Sequence, residues 1–105
     1  MTFEGLFSII KERFLKADVR KFPGFAAFEF QVRGEAVGVF YVEIKHGRIS
    51  VMPYNYYDRS AIITADGSTL LEICRGELDP LIAYAVGRVK VQGDLQKVQS
   101  LVTLL

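Results

Sequence analysis

The sequence predicts a single domain, residues 1–105, of the α+β class, in which helices cover one face of a five-stranded, mainly antiparallel sheet. Three observations predict it. A chain of 105 residues is long enough to bury one hydrophobic core but not two. Apolar residues follow helical spacing near both ends of the chain, and they alternate with polar residues in five short segments. Because most of these segments come in one run, a sheet with helices on one face and water on the other is favoured.

The first half of the chain predicts one helix and three strands. In residues 3–15, apolar side chains recur at helical spacing, with charged side chains mostly on the opposite side. Alternation of apolar and polar residues indicates strands at residues 28–33 and 37–45. The dipeptide His46-Gly47 favours the positive backbone angles of a tight hairpin, which leads into a third strand at residues 48–52.

The second half predicts two further strands and three helices. Residues 60–65 form a short strand, and Asp66 or Ser68 is the predicted N-cap of the helix that follows it. Alternation returns in residues 88–92, which predict the fifth strand. Asp94 is the predicted N-cap of a last helix with a continuous apolar stripe.

The middle one of these three helices has an unusual composition. It is capped by Asp79, has Pro80 at its first position and is followed by Gly87. Its residues 81–86, "LIAYAV", are apolar on every side, whereas a surface helix shows one apolar stripe. A two-layer domain covers only one side of such a helix, so a partner, a membrane or a bound apolar molecule is expected on the other.

Composition and charge exclude several classes of partner. The chain has 13 Lys and Arg against 12 Asp and Glu, interspersed along its length, so charge does not favour binding to nucleic acid. No apolar run approaches the roughly 18 residues of a membrane-spanning helix, and the N-terminus lacks the pattern of a signal peptide. The lone Cys74 cannot form an intrachain disulfide. These features indicate a cytoplasmic protein.

The sequence contains no recognisable catalytic or metal-binding motif. It has no glycine-rich phosphate loop, no helical pair of histidines and no Cys or His cluster with metal-ligand spacing. His46 is interpreted as a turn residue, because no nucleophile is indicated near it. Cys74 is interpreted as a small hydrophobic residue on the apolar side of its helix. The sequence therefore predicts no enzyme, no cofactor and no metal.

Two surface features allow more than one interpretation. Tyr54, Tyr56 and Tyr57 lie in the connection after the third strand, where they either pack against the sheet edge or form the rim of an apolar opening. Arg88 and Lys90 lie on the outer face of the fifth strand, either in water or against an anionic head group or partner. Edge packing and solvation are the commoner outcomes for such residues.

The stretch "GSTLLEICRGELDPLIAYAVGRVKVQGDLQKVQSL" resembles the signature region of the sterol carrier protein type-two family, also called the non-specific lipid transfer proteins. The resemblance covers residues 67–101. It consists of a polar-capped helix, a Gly-x-Leu-Asp-Pro turn at residues 76–80, a short apolar helix at residues 81–86, and a Gly-basic-apolar-basic-apolar-x-Gly-Asp run at residues 87–94. The preceding "VFYVEIKHGRISV" fits the family's hairpin more loosely.

This resemblance implies an apolar tunnel between the sheet and the helices, which takes fatty acyl chains, acyl-CoA or sterols without chemistry. The second side of the 81–86 helix would then face the ligand. By motif position, the helical wall of this tunnel would comprise Leu71, Cys74, Leu81, Ile82, Ala85 and Leu101. Alternation along the second strand adds a sheet wall of Phe40, Val42 and Ile44.

The sequence departs from the family pattern at its end. Residues 103–105, Thr-Leu-Leu, do not resemble the peroxisomal address of some members, which agrees with a cytoplasmic location. The chain continues for about one helix beyond Gly93, so a second subunit is one way to close the tunnel.

The expected partner is a lipid or another apolar small molecule, and transient membrane contact and a homodimer are compatible with this expectation. The alternative is a structural or dimerisation module that uses the same apolar surface to bind another protein.

Overall fold

The computed structural model describes residues 1–105, apart from the side chain of Lys21. In this described part, four α-helices, one short 3-10 helix and five strands follow one another. Their order is α1 (Phe3–Leu15), the 3-10 helix (Val19–Lys21), β1 (Ala26–Arg33), β2 (Gly38–Lys45), β3 (Arg48–Met52), β4 (Ala61–Asp66), α2 (Gly67–Cys74), α3 (Pro80–Ala85), β5 (Val89–Gly93) and α4 (Leu95–Val102).

The strands form one sheet in the order β3-β2-β1-β4-β5. Neighbouring strands are antiparallel except β1 and β4, which are parallel, with Phe28 opposite Ala61. The parallel pair arises because β3 lies at one edge, and the chain must cross the sheet to add β4 beside β1. The predicted α+β class and mainly antiparallel five-stranded sheet are thus confirmed, with one parallel pair.

The inward side chains of β1 and β2 form the centre of the hydrophobic core. Phe28 lies opposite Val42 and Phe30 lies opposite Phe40. The rings of Phe30 and Phe40 are stacked, with 4.7 Å between their centroids. As its helical spacing predicted, α1 packs on this face through three buried residues, Leu6, Ile10 and Phe14.

The second face of the sheet is partly covered, whereas the sequence predicted that water would cover it. Glu29 of β1 points to this face and is only 1% exposed. Residues 53–60 connect β3 to β4 across it, and the backbone N–H of Tyr56 donates to the Glu29 carboxylate at 3.1 Å. The side chain of Gln31 donates to the same carboxylate at 3.0 Å, and Arg59 lies 3.7 Å away. The prediction was wrong because the crossing follows from the parallel pair, which alternation within strands does not reveal.

The ends of the later helices follow their predicted caps. The Asp79 carboxylate accepts from the N–H of Leu81 at 2.8 Å, and the Asp94 carboxylate accepts from the N–H of Lys97 at 3.1 Å. Asp66 occupies the N-cap position of α2, although its side chain makes no capping hydrogen bond. These hydrogen bonds satisfy backbone N–H groups in the first turns of α3 and α4.

Candidate functional site

An apolar cavity of about 100 Å³ lies between the inner face of the sheet and the helices. Its sheet wall consists of Phe30, Phe40, Ile63, Val89 and Val91. All four helices contribute to the opposite wall. No lining residue carries a charge, and among those described only Tyr84 and Gln99 bring a side-chain oxygen or nitrogen. Such walls hold a ligand by shape and burial, with few groups to orient it.

The short helix α3 forms the outer wall of this cavity. Leu81 and Tyr84 line it, and Ala83 is fully buried. Ile82 and Val86 remain 57% and 65% exposed. The helix that is apolar all round therefore has one buried side, one side at the cavity and one side in water.

Two glycines join α3 to its neighbours. Gly76 and Gly87 adopt positive φ angles of 73° and 83°, which other residues adopt only with strain. No heavy atom lies within 4 Å of a Cβ built at either position, so backbone conformation and not crowding favours glycine there. The N–H of Arg88 donates to the Ala83 carbonyl at 2.9 Å and fixes the end of α3 beside β5.

Four of the wall residues predicted from the sequence line the cavity: Phe40, Cys74, Leu81 and Leu101. They come from β2, α2, α3 and α4 respectively. The structure therefore brings together one predicted residue from each of these elements around the same apolar volume.

Three other predicted wall residues pack elsewhere. Val42 and Ile44 are buried farther along β2. Val42 lies opposite Phe28, and the ring of Phe22 packs 6.3 Å from the ring of Phe28. Side chains of the protein therefore fill the space near Val42. Leu71 is partly buried and packs against the core.

The remaining two, Ile82 and Ala85, are exposed to solvent. Ala83 and Tyr84 define the side of α3 that faces the protein interior, and the other positions follow from 3.6 residues per turn. Leu81 then lies at the border of the inward side, and Ile82 and Ala85 face outward. The spacing from Leu81 alone did not reveal which way the helix is turned.

Several lining residues were not predicted from the sequence as part of the site, namely Ile10, Phe14, Ile63, Val89, Val91, Val98 and Val102. Apolar spacing marked all of them except Ile63 as members of an apolar helix stripe or an inward strand face. Periodicity does not distinguish an inward side chain that packs against other side chains from one that borders a cavity. The sequence therefore contains no signal that assigns these residues to the cavity wall.

The lone cysteine and the lone histidine lie in different parts of the fold, Cys74 at the end of α2 and His46 in the turn after β2. Burial raises the pKa of the Cys74 thiol, an effect that exceeds the lowering by the charge of Arg13. A neutral thiol is a poor nucleophile. His46 has a φ of 53° in the turn between β2 and β3, as predicted for the hairpin, and it does not line the cavity.

Residues after α4 cover one side of the cavity. Leu105 lines it, together with Val102 of α4. The guanidinium of Arg13 in α1 donates to the Leu105 carbonyl oxygen at 2.5 Å. This hydrogen bond ties the segment after α4 to the first helix.

The tyrosine-rich connection lies on the face of the sheet opposite the cavity. The Tyr56 ring packs edge-on against Tyr41, with 5.0 Å between centroids, and its hydroxyl donates to the Glu43 carboxylate. This hydrogen bond and burial raise the pKa of Tyr56 to about 12. Tyr57 is almost fully exposed. Of the two interpretations of these tyrosines, packing against the sheet describes Tyr56.

Within the described residues, no helix is long and apolar enough to cross a membrane. The same residues contain no group of three or more His, Cys, Asp or Glu side chains that could hold a metal ion.

The fold and the cavity define a small α+β domain whose sheet and helices enclose apolar volume. A model of the SCP-2 sterol transfer family matches residues 7–105. The chain therefore belongs to the SCP-2 sterol transfer family. This membership supports binding or transfer of sterols or other lipids in general. No curated protein sequence matches the chain.

Solved structures show the same fold at low sequence identity. Palmitated SCP2L2 from Aedes aegypti is 19% identical, with 98% of this chain and 93% of that chain covered and a TM-score of 0.75. The ubiquinone synthesis protein UbiJ-SCP2 is 21% identical, with coverage of 97% and 90% and a TM-score of 0.69. The sec-alkylsulfatase Pisa1 from Pseudomonas sp. is 20% identical, and 77% of this chain matches 13% of that one with a TM-score of 0.65.

Proposed function

We propose that residues 1–105 act as one binding domain that carries apolar ligands in the cavity without chemistry. The ligand classes are fatty acids, acyl-CoA and sterol-like lipids. The observation that carries this proposal is the lining of the cavity, which has no charged side chain and is apolar except at Tyr84 and Gln99. Each buried methylene contributes about 0.8 kcal/mol, so even part of an acyl chain is held firmly by such walls.

A long ligand needs more room than the cavity has in this structure. A cavity of roughly 150 Å³ holds one benzene ring, and this cavity is about 100 Å³. The proposed way to enlarge it is an outward movement of α3. That helix is short, its outer residues are in water, and Gly76 and Gly87, in the connections that precede and follow it, tolerate the backbone changes that such a movement requires.

Two further observations support a fatty acyl ligand and the absence of chemistry. The Aedes aegypti neighbour of the same fold was solved in a palmitated form. The thiol of Cys74, which borders the cavity here, has a pKa raised by burial and is poorly suited to attack a ligand. We also propose a cytoplasmic location, which a single cysteine without a disulfide partner supports.

The exposed side of α3 supports a transient membrane contact during loading. Leu81, Ile82 and Val86 are all more than half exposed, and Leu81 also lines the cavity. Apolar side chains gain free energy when they enter the interface of a bilayer. The ligand would then pass from the membrane to the cavity along the surface of α3.

The same exposed side chains favour one alternative function. Leu81, Ile82 and Val86 form apolar surface that another protein, or a second copy of this chain, would bury in a structural or dimerisation module. In that case the cavity would be a packing defect of the monomer, and α3 would be the interface.

Native mass spectrometry of the purified protein, followed by organic extraction, tests the two functions together. The carrier predicts added mass that extraction removes, and the extracted protein then takes up hexadecanoate at one molecule per chain. The alternative predicts a dimer without bound lipid and no uptake of hexadecanoate. The second result would contradict the carrier function.

A further inference from the structure

A polar groove follows the outer face of the sheet along β5, next to the apolar cavity. Gln31 of β1, Thr64 of β4 and Lys90 of β5 lie side by side across three strands and line this groove. Arg33 and Arg88 line it as well. Of these residues, only Arg88 and Lys90 stood out in the sequence, as either solvated or in contact with an anionic head group or partner.

The groove and the cavity meet at the edge strand. Tyr84, Val89 and Val91 line both of them. Because β5 ends the sheet, no further strand separates the two spaces. The head of a molecule whose tail lies in the cavity can therefore reach the groove by passing around Tyr84. The ring and hydroxyl of Tyr84 lie at the boundary between the two spaces.

The groove carries an excess of positive charge. Three cationic side chains, Arg33, Arg88 and Lys90, face a single lining carboxylate, that of Asp66, which lies opposite Arg33 in the parallel pair. Glu72 of α2 pairs with Arg88, and the buried Thr69 hydroxyl accepts a hydrogen bond from the same guanidinium at 3.1 Å. These two contacts hold the Arg88 guanidinium in place, whereas Lys90 forms no ion pair with the side chains that the structure describes.

We propose that this groove binds the anionic head group of a long-chain amphiphile whose tail fills the cavity. The inference rests on the proposed carrier function and narrows its ligand class to carboxylates or phosphates with long apolar tails. The apolar cavity supplies most of the affinity, and the groove selects the charge of the head. A neutral ligand of the same length then binds without contribution from Arg33 or Lys90.

The test compares three probes that share one tail and differ in the head, namely hexadecanoate, hexadecyl phosphate and hexadecan-1-ol. The affinity of each compound for delipidated protein is measured at low ionic strength, by its displacement of a bound fluorescent fatty acid. The variant is the double substitution Arg33→Gln and Lys90→Gln, which leaves the Arg88–Glu72 pair intact. Lys45→Gln is the matched control, because Lys45 is an exposed lysine on the same face of the sheet, in β2 and outside the groove.

The double variant is expected to weaken one or both anionic probes by about three- to tenfold, as for partly screened charges near a surface, with hexadecan-1-ol within about twofold. Lys45→Gln should leave all three unchanged, and Lys90→Arg should keep the parent affinities. If the double variant loses affinity for hexadecanoate alone, the groove binds a carboxylate head. If it loses affinity for hexadecyl phosphate alone, the groove binds a phosphate head. Loss of affinity for both identifies a shared anion site.

Equal losses for all three probes, or no loss for either anion, would overturn the head-group site and leave the carrier function standing. Failure of the parent protein to bind any of the three probes would overturn the carrier function and the head-group site together.

Discussion

Leu81 and Ile82 are adjacent in α3 and equally exposed, at 56% and 57%, but only Leu81 borders the apolar cavity. The two residues have the same size and nearly the same exposure and belong to the same helix, but only the side chain of Leu81 contacts the cavity. This pair separates contact with a bound ligand from mere apolar character at the surface.

Leu81→Ser should lower the affinity for hexadecanoate about fivefold, because a half-exposed leucine contributes roughly 1 kcal/mol of apolar burial against a ligand. Ile82→Ser should stay within about twofold of the parent. Probe displacement measures both. Equal losses in the two variants would show that α3 acts through its surface and not through the cavity.

Ile82 and Val86 should matter for the exchange of ligand with membranes. Replacing both by Ser should slow the transfer of a fluorescent fatty acid from phosphatidylcholine vesicles several-fold, because these side chains lie on the outer side of α3 and are well exposed. The equilibrium affinity in solution should not change. Unchanged transfer rates would argue against membrane contact through α3, and a change in subunit number measured by sedimentation would support the dimerisation module.

Glu29 should contribute to stability through the crossing segment. Its buried carboxylate accepts from the Tyr56 N–H and from Gln31. Glu29→Ala leaves these donors without their partner and should lower the free energy of unfolding by about 1–3 kcal/mol, measured by urea denaturation. Glu12→Ala is the control, since Glu12 forms an exposed pair with Lys16 and should have little effect. Equal effects would mean that the crossing segment does not depend on Glu29.

The raised pKa of Tyr56 predicts how the stability of the folded protein changes at high pH. Its pKa is raised to about 12 in the folded protein by the hydrogen bond to Glu43 and by burial, above the ordinary value of 10.0. A raised pKa means that the associated stability is fully present below pH 10 and is lost as the pH rises toward 12. Tyrosinate absorbance should therefore include a late-titrating component from Tyr56, and Tyr56→Phe should remove that component. Persistence of the late titration in that variant would assign it to another tyrosine.

Local pattern was sufficient to predict most of the fold. Period-two alternation indicated a strand at the segment that holds the buried Phe28 and Phe30, and helical spacing indicated an apolar stripe in residues 3–15, of which Leu6, Ile10 and Phe14 are buried. The parallel pairing of β1 with β4 was not predictable in this way, because strand alternation is the same in parallel and antiparallel neighbours. The cover over Glu29 depends on that pairing and was missed with it.

The candidate site was predictable in part. The all-round apolar composition of α3 indicated that something beyond the sheet should cover it, and Leu81 does border the cavity. The rotation of a six-residue helix is set by the packing of Ala83 and by the connection from Gly87 into β5, which spacing does not encode. For that reason Ala85 was chosen as a wall residue although it faces solvent.

Cavity filling tests the central claim most directly, and Cys74 and Ala85 supply the matched pair. Cys74→Phe places a ring in the apolar cavity, whereas Ala85→Phe places the same ring on the exposed side of α3. The measurement is the affinity for hexadecanoate by probe displacement in delipidated protein, beside the melting temperature of each variant. The carrier account predicts that Cys74→Phe abolishes binding while its melting temperature holds or rises, and that Ala85→Phe binds like the parent. Full binding by a folded Cys74→Phe variant would contradict it.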